Sequence, residues 1–377
     1  MQKLDLVIQG GHVIDTKAGI DEIRDIGIKN GRIVKIDTYF DSERTVDARG
    51  CIVSPGLIDS HVHVFDKGCD LGIPADLVML PQGITTVGEG GSCGISNYRI
   101  FAEMLGQMRV HGKMLINVSP EGLATFQHSE IIRPESWNRD AFKRAFDLYK
   151  RKLMGLKLRL SDEVVGKNGL RVLEEALKLA EELQTRLVVH VTATSIPQEE
   201  IVKRLRKGDI YCHVYQGYGE TILDSKGNVK EEIFDASRRG VILDAASGKN
   251  NFSFKVAKRA LIQGLLPDVI CSDVSSMNYL GEYVGNGLPY IMSKFLALGM
   301  NITEILKRTT ENPAKVMGIQ NELGSLQEGY LADIAVFKIQ EGKYTFIDAH
   351  REKLEGMQMV LPQATISRGE LIWRTAY

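Results

Sequence analysis

The sequence predicts an α/β fold: a (β/α)8 TIM barrel over residues 54–314, with a small β-sandwich domain built from both termini, residues 1–53 and 315–377. Three observations predict it. Eight short apolar runs alternate with helix-like stretches through the middle of the chain, β-like runs separated by turn residues fill both ends, and metal-competent residues stand at the ends of several apolar runs. Strands alternating with amphipathic helices are the pattern of a parallel sheet wrapped by helices.

In chain order, residues 6–11, 12–15, 26–31 and 33–36 are β-like. Asn30-Gly31 lies between two of these runs and predicts a hairpin, because both central residues of a two-residue turn need positive φ. His12 falls in this part and is read as a structural or surface histidine. The barrel opens with Pro55-Gly56-Leu57-Ile58-Asp59-Ser60-His61-Val62-His63, a buried strand ending in two histidines. Seven further strands are expected at 84–89, 114–118, 154–160, 186–191, 210–215, 241–245 and 269–272. Among the intervening helices, 170–183 is the clearest, with Leu170, Leu173, Leu177, Ala180 and Leu183 on one stripe and charged residues outside it. Past Asn312-Pro313, β-like runs return at 332–337, 344–348 and 370–373. Their likeness to the opening runs predicts one discontinuous domain.

With 377 residues, 44% of them hydrophobic, the chain can bury a large core. Its 47 basic and 48 acidic residues leave no electrostatic footprint for nucleic acid or an anionic membrane. The five cysteines are odd in number and several lie in apolar strand patterns, which fits reduced thiols and a cytoplasmic location. The start lacks a signal-length apolar run behind a basic head, and no stretch approaches ~18 uninterrupted apolar residues, so neither secretion nor membrane insertion is expected. A small-molecule substrate is the expected partner, and a homo-oligomer stays open.

Side chains alternate along a strand, so His61 and His63 point the same way and can share one metal ion. Alone, His-x-His reads more readily as two ordinary histidines of a half-buried strand. Its company decides: Lys157, His190, His213 and Asp273 stand in or at the ends of later strands, and four of the eight histidines occupy strand ends. Strand ends on one side of a (β/α)8 barrel converge on one mouth. Six candidate ligands exceed what a single tetrahedral ion takes, so they predict a pair of divalent ions. A protonated Lys157 would be repelled by such a pair. Its neutral amine can add carbon dioxide, and the resulting carbamate is an anion able to bridge two metals. The alternative, a lysine snorkelling out to a carboxylate, is outweighed by the surrounding motifs.

The run from Pro55 to His63, the strand lysine, two further histidines and a late Ser272-Asp273, in that order, resemble the amidohydrolase superfamily of dihydroorotase and hydantoinase type. The segments 83–87, 292–299 and 310–314 are similar to its amidohydrolase/deacetylase branch. The resemblance spans nearly the whole chain. It implies that His61, His63 and Asp273 hold the more buried metal and His190 and His213 the more exposed one, with zinc the expected ion. The N and O ligands themselves also accept Mn, Co or Fe. Two such metals share a hydroxide that is nucleophilic at neutral pH and polarise a carbonyl. Asp273, at strand eight in the family order, is the expected general base and acid; its bland reading is a helix N-cap. The expected reaction is hydrolysis of an amide or ester bond in a small acylated, carboxylate-bearing substrate.

Around the metals, period-two alternation places Arg159 on the face of Lys157, where it either clamps a substrate carboxylate or forms a rim salt bridge. Tyr215 bears the same relation to His213, and either orients substrate or packs the barrel top. The glycine-rich loop 88–94 brings backbone, Ser92 and Cys93 near the mouth, although Cys93 lacks a base at useful spacing for a nucleophile. His111 and His128 carry no assignment. Cyclic amide opening would use the same machinery. Deaminases of the superfamily commonly carry a glutamate three residues after the strand-five histidine, a place held here by Ala193. A non-catalytic assembly protein would be missing ligands, and all six positions are filled.

Overall fold

The computed structural model describes residues 2–36, 40–125, 130, 132–279 and 287–375. Its centre is a curled parallel sheet of seven strands, paired in chain order: Leu57–Val62, Ile84–Glu89, His111–Asn117, Leu153–Arg159, Leu187–His190, Ile210–Cys212 and Ile242–Asp244. Helices cover its outer face, so the strands are apolar along their length; every residue of Ile84–Glu89 is buried. In the helix Gly169–Glu182, Leu173 and Ala180 are buried together with Val172, Ala176 and Leu179. The predicted stripe members Leu170, Leu177 and Leu183 flank that face half-buried, so the buried stripe is broader than the sequence pattern.

The eighth segment departs from a regular strand. Val269 bridges Asp244 and Val274 bridges Val62, both in parallel. On one side Ser247 N donates to Cys271 O, and on the other Asp273 N donates to His61 O and His63 N to Val274 O. Residues 269–274 therefore lie between the first and last strands, bonded to both. Regular pleating fails because Asp273 adopts φ +52° and because Ser272 turns its N–H and hydroxyl onto the Asp59 carboxylate.

A second, eight-stranded sheet draws on both ends of the chain. Leu6–Asp15, Ile20–Lys29, Arg32–Val34, Thr45–Asp47 and Ile52–Pro55 come from the start, and Ile334–Ile347, Lys353–Ser367 and Glu370–Arg374 from the end. The halves meet where Ile52–Pro55 pairs antiparallel with Ile334–Phe337. The sandwich expected from the sequence takes the form of this sheet plus a two-stranded pair, Gln2–Leu4 with Phe40–Ser42. Asn30 and Gly31 both adopt positive φ, 50° and 71°, and turn Ile20–Lys29 back into Arg32–Val34 as the dipeptide predicts. Leu6, Ile8, Val13 and Val53 pack with Leu326, Ile334, Val336 and Ile366 in a core separate from that of the barrel.

The chain passes from this sheet into the barrel through Gly56, whose N–H donates to Asp333 O; a Cβ here would overlap the Thr85 side chain. All five cysteines are free and buried. Among the described residues no helix is long and apolar enough to cross a membrane.

Candidate metal centre

The ends of the parallel strands bring His61, His63, Lys157, His190, His213 and Asp273 to one cavity of about 520 Å³. The second nitrogen of three imidazoles is already engaged. His61 Nδ1 lies 2.8 Å from Asp244 Oδ2, His63 Nδ1 lies 2.7 Å from Ser92 Oγ, and His213 Nδ1 donates to Ala246 O at 3.0 Å. A ring held through Nδ1–H presents its Nε2 lone pair inward, which is the arrangement of metal-binding histidines. His63 Nε2 is 3.3 Å and His61 Nε2 3.7 Å from Asp273 Oδ1. Ligating atoms of His61, His63 and Asp273 all lie within 4.8 Å of one another, as do those of His61, Cys212 and His213. The His190 ring stands edge-on to that of His213, centroids 4.5 Å apart.

Two of these residues owe their aim to unusual backbone. His213 and Asp273 adopt φ of +62° and +52°, outside the pleated region, at the points where strand pairing stops. Lys157 is buried on Leu153–Arg159 with Nζ 3.0 Å from His61 Nε2 and 3.9 Å from Cys212 Sγ. Among the described residues it has no carboxylate partner. Gly91 covers its stem so closely that a Cβ there would overlap it.

Charge in this buried set is strongly polarised. Burial would lift Asp273, but His63, His61 and His213 hold its carboxyl well below the usual range. Burial would lower His63, yet its contacts with Asp273 and Glu89 raise it to about 9. His213 is pushed down to about 3 by burial. His190 is pushed well below its ordinary value, first by burial and then by electrostatic interaction with His213, Arg159 and Lys157. His190 and His213, kept neutral by burial, and the ionised Asp273 are donors for a divalent cation as they stand, while His63 would give up its proton to one. Of the two groups, His61-His63-Asp273 suits an ion better, because Cys212 Sγ stands 3.3 Å from His61 Nδ1, the nitrogen that Asp244 already holds, whereas His63 and Asp273 approach the Nε2 side. Four imidazole donors, one carboxylate and a buried amine without a carboxylate partner among the described residues are more than one tetrahedral ion takes.

The surrounding residues depart from expectation in part. Arg159 lines the cavity, but Nη1 donates to Glu130 Oε2 at 2.5 Å and Nη2 to Glu163 Oε1 at 2.8 Å, so the rim salt bridge is what forms. Tyr215 is not at the mouth. It is fully buried, packs on Phe252 and Phe295 and donates its hydroxyl to Leu265 O. The strand ends at Cys212 and His213 has positive φ, so period-two alternation does not carry through to residue 215. Ser92 faces His63 from behind rather than a substrate, and Cys93 is buried against Leu115 O with burial pushing its thiol well up. His111 sits 3.2 Å from Asp333. His12 pairs with Asp21 in the open, and His128 lies outside the described residues.

The sequence reading missed Asp244 behind His61, Glu89 beneath His63 and Asn251, whose Nδ2 donates to Asp273 Oδ2 at 2.6 Å. The first two carried a signal, a carboxylate ending an apolar run. Asn251, Lys249 and Tyr218 line the cavity from loops that have no periodicity to read.

The amidohydrolase family profile matches residues 52–370, a span that includes every one of these donors. This chain belongs to the amidohydrolase family. As an amidohydrolase with deacetylase and dihydroorotase relatives, it is a metal-dependent hydrolase. It is 28% identical over 372 residues to a deacetylase of Enterococcus faecalis, covering 97% of this chain and 98% of that protein. A deacetylase of Agrobacterium fabrum is also 28% identical, over 346 residues, 89% of this chain and 82% of its own length. Among solved structures the amidohydrolase is similar to a dihydroorotase, TM-score 0.89 at 25% identity over 99% of this chain and 98% of that one. An adenine deaminase structure gives TM-score 0.87 at 27% identity, over 99% and 100% of the two chains.

Proposed function

We propose that this amidohydrolase is a binuclear zinc enzyme that hydrolyses the amide or ester bond of a small acylated acid. The observation that carries the reading is Lys157: a buried amine with no carboxylate bonded to it among the described residues, 3.0 Å from His61 Nε2 in the cavity that also holds His190 and His213. As a carbamate it would be held by both ions, with His61, His63 and Asp273 on one and His190 and His213 on the other. Zinc suits a set of imidazole and carboxylate donors. Bound there, the two ions supply a water that is nucleophilic at neutral pH and polarise the scissile carbonyl.

The chain's own residues do the rest. Asp273 is kept ionised by the surrounding histidines, so it is ready to take the attacking water's proton, and it then returns that proton to the leaving group. Asn251 holds the far carboxylate oxygen and fixes which one faces the substrate. Leu71, Leu123 and Met277 give the cavity an apolar wall for the acyl or side-chain group. Deacetylase-named relatives over nearly the full chain favour the deacylase reading. Deamination is disfavoured by the strand-five loop, where Thr192 and Ala193 line the cavity without a proton-shuttling carboxylate.

The second reading is opening of a cyclic amide, favoured by the likeness to a dihydroorotase structure. Zinc-loaded protein, assayed on N-acetyl and O-acetyl derivatives of D and L α-substituted acids beside dihydroorotate, hydantoins and adenine, separates these. Acetate release from one stereochemical series is expected. Lys157→Ala is expected to lower bound zinc from about two ions per chain towards one and to reduce activity at least a thousandfold. Ring opening without acetate release would transfer the protein to the second reading.

A further inference from the structure

Residues 246–251 follow the seventh strand and are fastened on several sides. Ala246 O accepts from His213 Nδ1, Ser247 N donates to Cys271 O, Ser247 Oγ accepts from Lys294 Nζ at 2.9 Å, and Asn251 Nδ2 donates to Asp273. Gly248 packs so tightly on the Asp273 carboxylate that a Cβ would overlap it. The next residue, Lys249, therefore leaves a fixed backbone only about 3.8 Å of chain from the glycine that touches Asp273.

Three lysine or arginine side chains line the cavity among the described residues: Lys157, Arg159 and Lys249. Lys157 is enclosed among the metal donors. Arg159 is matched by two carboxylates, Glu130 and Glu163, so its side of the mouth carries a net negative charge and repels an anion. Lys249 alone of the three lies at the outer cavity without an ion pair among the described residues. Its four-carbon stem lets the ammonium swing over the cavity from that fixed base.

We infer that Lys249 is the residue that binds the substrate's carboxylate, and that Arg159 braces the opposite rim through Glu130 and Glu163. This rests on the reading of the substrate as an acylated acid. A carboxylate drawn to Lys249 and turned from the Glu130-Glu163 side enters in one orientation, which makes Lys249 a determinant of specificity.

The test compares wild type and Lys249→Met, both zinc-loaded, on each hydrolysed acylated acid and its α-carboxamide analogue. Lys249→Met is expected to lose at least tenfold more kcat/KM on the acid than on the carboxamide, chiefly through KM, with zinc content unchanged and partial recovery in Lys249→Arg. Equal losses on acid and carboxamide, or none on either, overturn the assignment. Calorimetry with lactate and lactamide decides the matter without turnover. Lactate affinity at least tenfold weaker in Lys249→Met than in wild type supports it even if no acylated acid is cleaved, an outcome that would sink the substrate reading alone. Equal lactate affinity in the two proteins, or no lactate binding by wild type, overturns it.

Discussion

Replacing Lys294 by methionine is expected to change how stability depends on pH. Lys294 lies on the helix Leu288–Ala297 and is almost completely buried, with Nζ 4.4 Å from the centre of the Phe252 ring and bonded to Ser247 Oγ. Burial pushes its amine down to about 7, with Asp348 the one charge pulling the other way, and that carboxylate is occupied by the backbone N–H groups of Phe254, His350 and Glu352. An unfolded lysine titrates near 10.4. Below pH 7 both states carry the proton and the folded state bears the full penalty of a buried charge. Between about 7 and 10 the unfolded chain holds a proton that the folded chain has released, so stability rises with pH. The slope approaches about 1.4 kcal/mol per pH unit for one proton. From pH 8 to 9.5, wild type should thus gain roughly 2 kcal/mol relative to Lys294→Met. Urea titrations of both metal-saturated proteins at the two pH values measure it, and groups common to both cancel in the difference. A stability difference that stays constant between pH 8 and 9.5 would refute the argument, because the amine would then be charged in the fold.

Two further outcomes follow from contacts around the donors. Asp244→Ala removes the carboxylate that orients His61 and is expected to weaken metal binding by about 10–100-fold, read by competition with a chromophoric chelator; unchanged affinity would show that His61 needs no such support. Gly248→Ala drives a methyl group into the Asp273 carboxylate, so kcat is expected to fall at least tenfold in steady-state assays while circular dichroism stays that of wild type. Full activity in that variant would mean that Asp273 has freedom to move.

The strands were legible because burial on both faces demands apolar runs, and the six candidate ligands because each stands in or at the end of such a run. Where backbone leaves the pleat, pattern reading fails. Alternation from His213 misplaced Tyr215 since His213 itself has positive φ, and the segment at 269–272 reads as a strand although Ser272 and Asp273 are turned to other partners. Arg159 was placed correctly on its face, but the acids that occupy it, Glu130 and Glu163, sit on a loop and a short helix that alternation from Lys157 does not reach. Lys249 and Asn251 line the cavity from a loop that is held in part by Lys294, 45 and 43 residues further along the chain.

The pairing of Ile52–Pro55 with Ile334–Phe337 has a consequence for the order in which the protein is made. A chain leaving the ribosome presents its donors from His61 to Asp273 before the last three strands of the terminal sheet exist. Until then Leu6, Ile8, Val13 and Val53 lack Ile334, Val336 and Ile366, their partners in the second core. The nascent protein thus carries an open sheet edge beside a barrel able to form first, the kind of intermediate that aggregates. Closure of the terminal sheet waits on contacts nearly 300 residues apart, as between Ile52 and Phe337, so it is expected to be a slow step of folding, and a C-terminal truncation is expected to be more damaging than its distance from the candidate metal site implies.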